Sequence, residues 1–332
     1  MTYKQGRLAI CAIVLAVIAT LGSPYALSKG PGTELIRIGY LPIASDSSFF
    51  VAVENGLFKA VGLEVEAIKF ETSNQALEAL VTGRINATAV VALEAALALE
   101  ANTPGQFRII EMTAATADSK VHRIIVKTDS VINTLASLCG KRVGTFPGTQ
   151  MVVFLKLILQ KFCDAQLETS IIQLKPPLQP QALEQGQVDA LFCLEPTGTL
   201  LESRGIARAI SVNPLYEFIQ QPFPTGVSLV SASLATQRPK IVSKLMKALA
   251  AAHDLTKKRP AEAASALPKY VPIEPEIAPK VAMYDYWDVP SIDKEAVQQL
   301  ADLYRDTGVL TKKVSTAGLY AKPLEQPRSI KR

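Results

Sequence analysis

Residues 8–21 (LAICAIVLAVIATL) form an unbroken apolar run of 14, and no run of comparable length follows. Beyond it the pattern becomes short apolar bursts of strand length separated by longer stretches with helical spacing. RIGYLP (37–42) is an apolar strand running into a turn, where proline stops the ladder. A helical stretch comes next, then LEVEAIKF (63–70) with partial alternation. A helix containing QALE (75–78) then runs to Gly83, and GRINATAVV (83–91) follows as a strand. The series recurs. RVGTFP (142–147) stands 105 positions after RIGYLP and leads into MVVFLKLILQKF (151–162), helical in length and pattern. TSIIQL (169–174) reads as a strand, a second QALE (181–184) runs to Gly186, and GQVDALFCL (186–194) closes the copy. In both copies a glycine ends the helix, where a left-handed cap suits Gly. Strand, helix, strand, helix, strand is the order of an α/β unit built on a parallel sheet. Two copies in register predict two related lobes, starting near Leu35 and Lys141.

The intervening and terminal segments fill in the architecture. Residues 107–130 carry strands at 107–113 and 121–127, and GVSLVSASLA (226–235) reads as another strand. IVSKLMKALAAAHDLTKKR (241–259) is a long amphipathic helix stopped by Pro260. Further helices are expected at 261–270, around 275–286, and at 291–308 with a Ser291 cap and Gly308 as the stop. Residues 321–332 read as a frayed end.

The first run changes the picture of the N-terminus. Lys4 and Arg7 precede it, and Gly22, Ser23, Pro24 and the small-residue stretch Ala26-Leu27-Ser28 follow. That is the order of a secretory signal, placing the export segment at 1–28 and the protein in the periplasm or another extracytoplasmic space. Fourteen apolar residues fall short of the ~20 that span a bilayer, and a retained anchor is the alternative. The formal charge of +5 drops to +3 once Lys4 and Arg7 leave, with 33 bases against 30 acids. With bases scattered rather than bunched, nucleic acid is not an expected partner. Two histidines, His122 and His253, leave little for a histidine-rich metal site or a His-based triad. No G-x-S-x-G, H-E-x-x-H or P-loop occurs, so neither a catalytic residue, a metal nor a cofactor is expected.

Parallel sheets bind ligands beyond the carboxyl ends of their strands. The loops there are PIASDSS (42–48), ETSN (71–74) and 91–94 in the first copy, and FPGTQ (146–150), 174–180 and CLEPT (193–197) in the second. Each precedes a helix, whose free N–H groups suit an anion. Gly148 and Thr149 form the sharpest candidate, with an ordinary Gly turn and Thr cap as the alternative. Ser45, Ser73 and Asn74 are either ligand contacts or simple caps. Asp46 and Glu195 could meet an amine or ring N–H, or be acids that only start helices. Phe49 and Phe146 could line an apolar wall or sit in the core. Trp287, beside Tyr284 and Tyr286, is either an aromatic wall or part of a packing cluster between C-terminal helices.

Four phrases, GYLPIASDSSFFVAVENGLFKAVGLEVE (39–66), QALEALVTGRIN (75–86), CGKRVGTFPGTQ (139–150) and ALEQGQVDALFCLEP (182–196), resemble one family. It is the solute-binding proteins of ABC importers for sulfonates, taurine, nitrate and thiamine-pyrimidine precursors. The likeness spans about residues 34–270. It implies a type II periplasmic-binding fold: two pseudo-repeated α/β lobes with mostly parallel central sheets, a two-strand hinge, and a small solute held between the lobes. Carried over, lobe 1 would be 33–116 plus 224–332 and lobe 2 would be 117–223, with hinge crossings near Met112–Ala117 and Pro222–Ser228. The ligand loops would be those containing Ser45, Asp46, Ser73, Asn74, Thr113, Gly148, Thr149 and Glu195; with Phe49, Gln150 and Trp287 from the residue reading they make up the expected ligand set. The partners implied are the solute and the membrane permease of an ABC importer, with the protein a monomer. No Arg or Lys lies in the loops that carry these residues, so the ligand stays open.

The competing reading is an enzyme of the related pyrimidine-precursor synthase group, whose CCCFC motif is replaced here by LFCLEP with a single Cys193. A ligand-sensing periplasmic protein is the third reading. After the signal, Cys139, Cys163 and Cys193 remain. The strand after Cys139 and the helix before Cys163 run antiparallel and each covers roughly 20 Å, at ~3.3 and ~1.5 Å per residue. Cys139 and Cys163 are therefore a candidate disulfide in an oxidising compartment. Cys193 reads as a small buried hydrophobe.

Overall fold

Eleven strands form two sheets in the computed structural model, which describes residues 34–164 and 167–322. The expected export segment, 1–28, lies outside them. The strands are β1 (Glu34–Tyr40), β2 (Leu63–Lys69), β3 (Ala87–Ala92), β4 (Phe107–Ala115), β5 (His122–Lys127), β6 (Arg142–Thr145), β7 (Ser170–Gln173), β8 (Ala190–Leu194), β9 (Ala207–Val212), β10 (Phe223–Ser231) and β11 (Asp285–Asp288). The principal helices are α1 (Ser47–Glu54), α2 (Ser73–Val81), α3 (Leu93–Asn102), α4 (Thr149–Leu159), α5 (Pro239–Lys258) and α6 (Lys294–Asp306).

The first sheet has the order β11-β4-β10-β3-β1-β2 and the second β7-β6-β8-β5-β9. In each, three strands run parallel (β2-β1-β3 and β7-β6-β8), and the rest add antiparallel. The parallel trios are the two α/β copies. Central β3 (ATAVVA) is buried along nearly its whole length, as a strand covered on both faces must be.

The repeat extends to individual hydrogen bonds. Asn86 Oδ1 accepts from the Arg37 amide at 2.9 Å, and the Asn86 amide donates to the Arg37 carbonyl at 2.8 Å. Asp189 does the same with Arg142, at 2.8 Å in both directions. Each short side chain thus locks the start of the third strand against the first. Gly39 and Gly144 occupy equivalent places in β1 and β6. A Cβ on Gly39 would come within 2.8 Å of Ile85 Cδ1 and of the Phe70 ring, and one on Gly144 within 2.7 Å of Leu191 Cδ2. Both glycines let apolar side chains close over the central strand.

Three expected elements differ. Residues 226–235 are not one strand: β10 ends at Ser231, whose hydroxyl accepts from the Leu234 amide and caps a helix over Ala232–Gln237. The stretch around 275–286 is not helical. Pro279 confines it to a single 3₁₀ turn, Ala278–Lys280, and the aromatic-rich Asp285–Asp288 becomes β11, pairing with β4. The last helix begins at Lys294 rather than Ser291, because Ser291 is held in a 3₁₀ turn with Pro290 and Asp293 is the residue that accepts from the Ala296 amide.

The chain passes from the first sheet to the second through residues 116–121 and returns through 213–222. Met112–Ala115 and Phe223–Ser228, where the crossings were expected to begin and end, are still paired within the first sheet. Asn213 joins the two passages: its Nδ2 donates to the Thr116 carbonyl at 2.7 Å. Cys139 and Cys163 are bonded, with Cα atoms 5.5 Å apart. Among the described residues, no helix is long and apolar enough to cross a membrane.

Candidate functional site

A cavity of about 540 Å³ opens where the strand ends of the two sheets face each other. Its polar lining comes from loop-to-helix junctions of both copies. Ser73 and Asn74 begin α2, and Thr149 and Gln150 begin α4. Thr113 of β4 and Thr225 of β10 line it from the first sheet, their hydroxyls 2.7 Å apart. The apolar lining is Leu41, Ile43, Val90, Phe146, Met151 and Leu194, with alanines of α3.

The start of α4 is shaped by Gly148, whose φ of 136° strains any residue with a Cβ. Its amide donates to Gln173 Oε1 at 2.9 Å, which fixes the turn against β7. No side-chain cap hydrogen bond is made at the start of α4 among the described residues, so its first turn, which lines the cavity through Thr149, Gln150 and Met151, carries amides without a capping acceptor. At α2, Thr72 caps Gln75, and Ser73 Oγ accepts from the Ala92 amide at 3.0 Å. Ser73 is therefore partly committed to tying α2 to the start of α3.

Among the described lining residues there is no Lys or Arg, and the one acid is Glu94, in the first turn of α3. Its side chain is buried against the cavity wall and makes no hydrogen bond or ion pair with the described residues; burial raises its pKa. His122 is fully buried, and desolvation lowers it to about 3, so its imidazole is neutral. His122 Nδ1 and Gln150 Oε1 are buried without a hydrogen-bond partner among the described residues. The cavity thus offers helix-terminal amides, hydroxyls, an amide and a neutral imidazole, but no protein cation.

Ser45, Ser73, Asn74, Thr113, Gly148, Thr149 and Gln150 from the expected set line this cavity. Asp46, Phe49, Glu195 and Trp287 do not, and each has another occupation. The Asp46 carboxylate is buried and accepts from the Leu41 amide at 2.7 Å; burial pushes it well above the usual carboxylate range. Phe49 packs among Tyr40, Phe50 and Phe58 in the core. Glu195 pairs with Arg123 at 3.0 Å and accepts from the Thr199 amide at 3.2 Å. Its carboxyl is raised to about 7, burial outweighing the Arg123 charge. Trp287 is carried on β11, half-buried and outside the cavity lining. Sequence reasoning missed His122, Gln173 and Thr225, placed Glu94 only within the 91–94 loop, and named Tyr284 only as a neighbour of Trp287. His122 and Thr225 start or continue strands that feed the sheet crossings, a position visible only once the topology is known. Cys193 is buried, and desolvation pushes its thiol well up, which keeps it out of thiolate chemistry.

The model of the NMT1-like family matches residues 29–268. The chain belongs to that family. Over 254 residues it is 25% identical to a Bacillus subtilis protein assigned to binding aliphatic sulfonates, covering 74% of this chain and 71% of that one. The fold of this NMT1-like protein matches the alkanesulfonate-binding protein SsuA of Xanthomonas axonopodis pv. citri bound to MOPS. The TM-score is 0.69 at 22% identity, over 86% of this chain and 97% of that chain. It also matches the periplasmic aliphatic sulphonate-binding SsuA of Escherichia coli, with a TM-score of 0.71 at 19% identity, over 87% and 98% of the respective chains.

Proposed function

We propose that this NMT1-like protein is the extracytoplasmic solute-binding component of an ABC importer, exported by residues 1–28. In this reading it binds, as a monomer, a small organic anion with an apolar body and presents it to the membrane permease. Two lobes, 33–116 plus 224–332 and 117–223, close on the solute. The observation that carries it is the cavity: polar groups from both sheets meet apolar walls there, and its lining residues Thr113, His122 and Thr225 stand close to the ends of the two passages between the sheets. A sulfonate head suits uncapped helix amides, which offer several N–H donors and a partial positive charge without a dedicated cation. The sulfonate-binding relatives support this choice of anion.

Glu94 favours a second feature in the ligand. An unpaired carboxylate beside the site is best matched by an amine or ring N–H, as in an amino-sulfonate or an aminopyrimidine. A thermal-shift screen with alkanesulfonates, taurine, nitrate, bicarbonate, carboxylates and aminopyrimidines tests both readings. The expected outcome is a raised midpoint with a sulfonate, larger when the ligand also carries a donor for Glu94. Turnover of a substrate by the protein alone, or no shift with any sulfonate, overturns the proposal.

A further inference from the structure

A second cavity adjoins the first. It is a groove of about 350 Å³ on the outer side of α2 and α3, and it shares Asn74, Ala95 and Ala98 with the lining of the main cavity. Its walls follow from helical spacing. Asn74, Leu77, Glu78 and Val81 recur at three- and four-residue steps on α2, and Ala95, Ala98, Leu99 and Asn102 recur likewise on α3. The groove therefore starts at the two helix N-termini, where the cavity lies, and runs about 10 Å along them. Between its ends it is mainly apolar. Val81 is 41% exposed at the far end, with nothing covering it among the described residues. At the shared threshold α3 carries only the small side chains of Ala95 and Ala98, and α2 contributes Asn74.

We infer that the groove holds the apolar tail of the ligand, which passes from the cavity over Ala95 and Ala98 and lies between α2 and α3. This rests on the solute-receptor reading and extends it: the preferred solute is a long-tailed amphiphile, its anionic head in the cavity and its tail leaving along the helices. The occupant is set by continuity. A groove that opens directly into the head-group cavity can receive part of the same molecule, and its lining of Leu77, Val81 and Leu99 suits hydrocarbon.

Titration calorimetry of the purified protein with methane-, butane-, octane- and dodecanesulfonate, each below its micelle concentration, tests it. Affinity should rise about fourfold per methylene from butane- to octanesulfonate. Val81→Asp, on an exposed position outside the main cavity, should leave butanesulfonate binding unchanged and remove most of the gain for dodecanesulfonate. Affinity that levels off at butanesulfonate overturns the groove assignment, leaves the receptor reading standing and frees the groove for a permease segment or a second copy. Failure of every sulfonate to bind removes the receptor reading and this inference with it. Long-chain affinity untouched by a folded Val81→Asp also overturns the tail path, and the chain-length series on the unmodified protein decides the matter if that variant does not fold.

Discussion

His253 stands between two carboxylates. Its Nε2 lies 2.6 Å from Glu111 on β4 and its Nδ1 3.0 Å from Asp288 on β11, while the Tyr286 ring stacks on it at 5.1 Å. Ser48 and Ser228 donate to the same Glu111 at 3.0 and 2.9 Å. A Ser, His and two acids invite a catalytic reading, but both hydroxyls donate to the glutamate rather than to the imidazole, and Glu111 is fully buried. The group acts instead as a clasp joining α1, β4, β10, α5 and β11. Burial alone would lower the His253 pKa; the Glu111 charge and the Asp288 contact outweigh it and hold it at about 9 against an ordinary 6.5. A folded-state pKa raised in this way stabilises fully below pH 6.5 and is lost as pH climbs through 9. The loss amounts to roughly 3 kcal/mol. Urea unfolding of the protein should therefore show stability falling between pH 6.5 and 9, and His253→Gln should flatten that fall. Glu195 works in the same direction but between 4.5 and about 7, so it touches only the lower edge of the window. Stability that is level across the window would contradict the clasp.

Elements whose signals are local were legible in the sequence, and those set by distant partners were not. The RIGYLP and RVGTFP strands announce themselves because proline, glycine and apolar spacing all lie within a few residues, and the Arg37–Asn86 and Arg142–Asp189 locks sit at matching places in both copies. Strand β11 was hidden because it exists by pairing with β4, about 170 residues earlier. The same contrast divides the candidate site. Gly148 and Thr149 lie in a turn whose geometry is local. Asp46 and Glu195 also lie in loops that follow strands, yet Asp46 is withdrawn by the Leu41 amide five residues back and Glu195 by Arg123, a partner that the fold supplies. The disulfide follows from element geometry, since β6 and α4 run back to back between Cys139 and Cys163 with a separation of 24 residues. Closing a loop of that length restricts the unfolded chain by about 3 kcal/mol. Cys139→Ser should lower the unfolding free energy by about that amount, and reductant should do the same to the unmodified protein. An equal unfolding midpoint in guanidinium with and without reductant would show the bond to be energetically idle.

At the scale of the whole molecule, the contacts that bridge the two sheets are of two kinds: a buried aromatic one, where Phe154 of α4 meets Phe223 of β10 at 4.8 Å, and polar ones near the cavity. Lys175 Nζ lies 3.9 Å from Glu71 beside the cavity, and Arg204 pairs with Glu274; both pairs are exposed. Gln150 Nε2 donates to the Thr225 carbonyl at 3.3 Å, and the Ala44 amide donates to the Glu195 carbonyl at 3.4 Å. Exposed ion pairs contribute about 0–1 kcal/mol each, so the polar pairs add little to holding the two sheets together. In a receptor that closes on its solute, the ligand drives closure through its unequal affinity for the open and closed forms. Solution X-ray scattering should then record a smaller radius of gyration at saturating sulfonate than without it. Glu71→Ala combined with Lys175→Ala should weaken binding by no more than about fivefold, since the pair is exposed and solvent-screened. A scattering curve unchanged by a ligand that demonstrably binds would mean that the sheets are already held together. The two passages at 116–121 and 213–222, tied by Asn213 to Thr116, would then act as a rigid strut rather than a hinge.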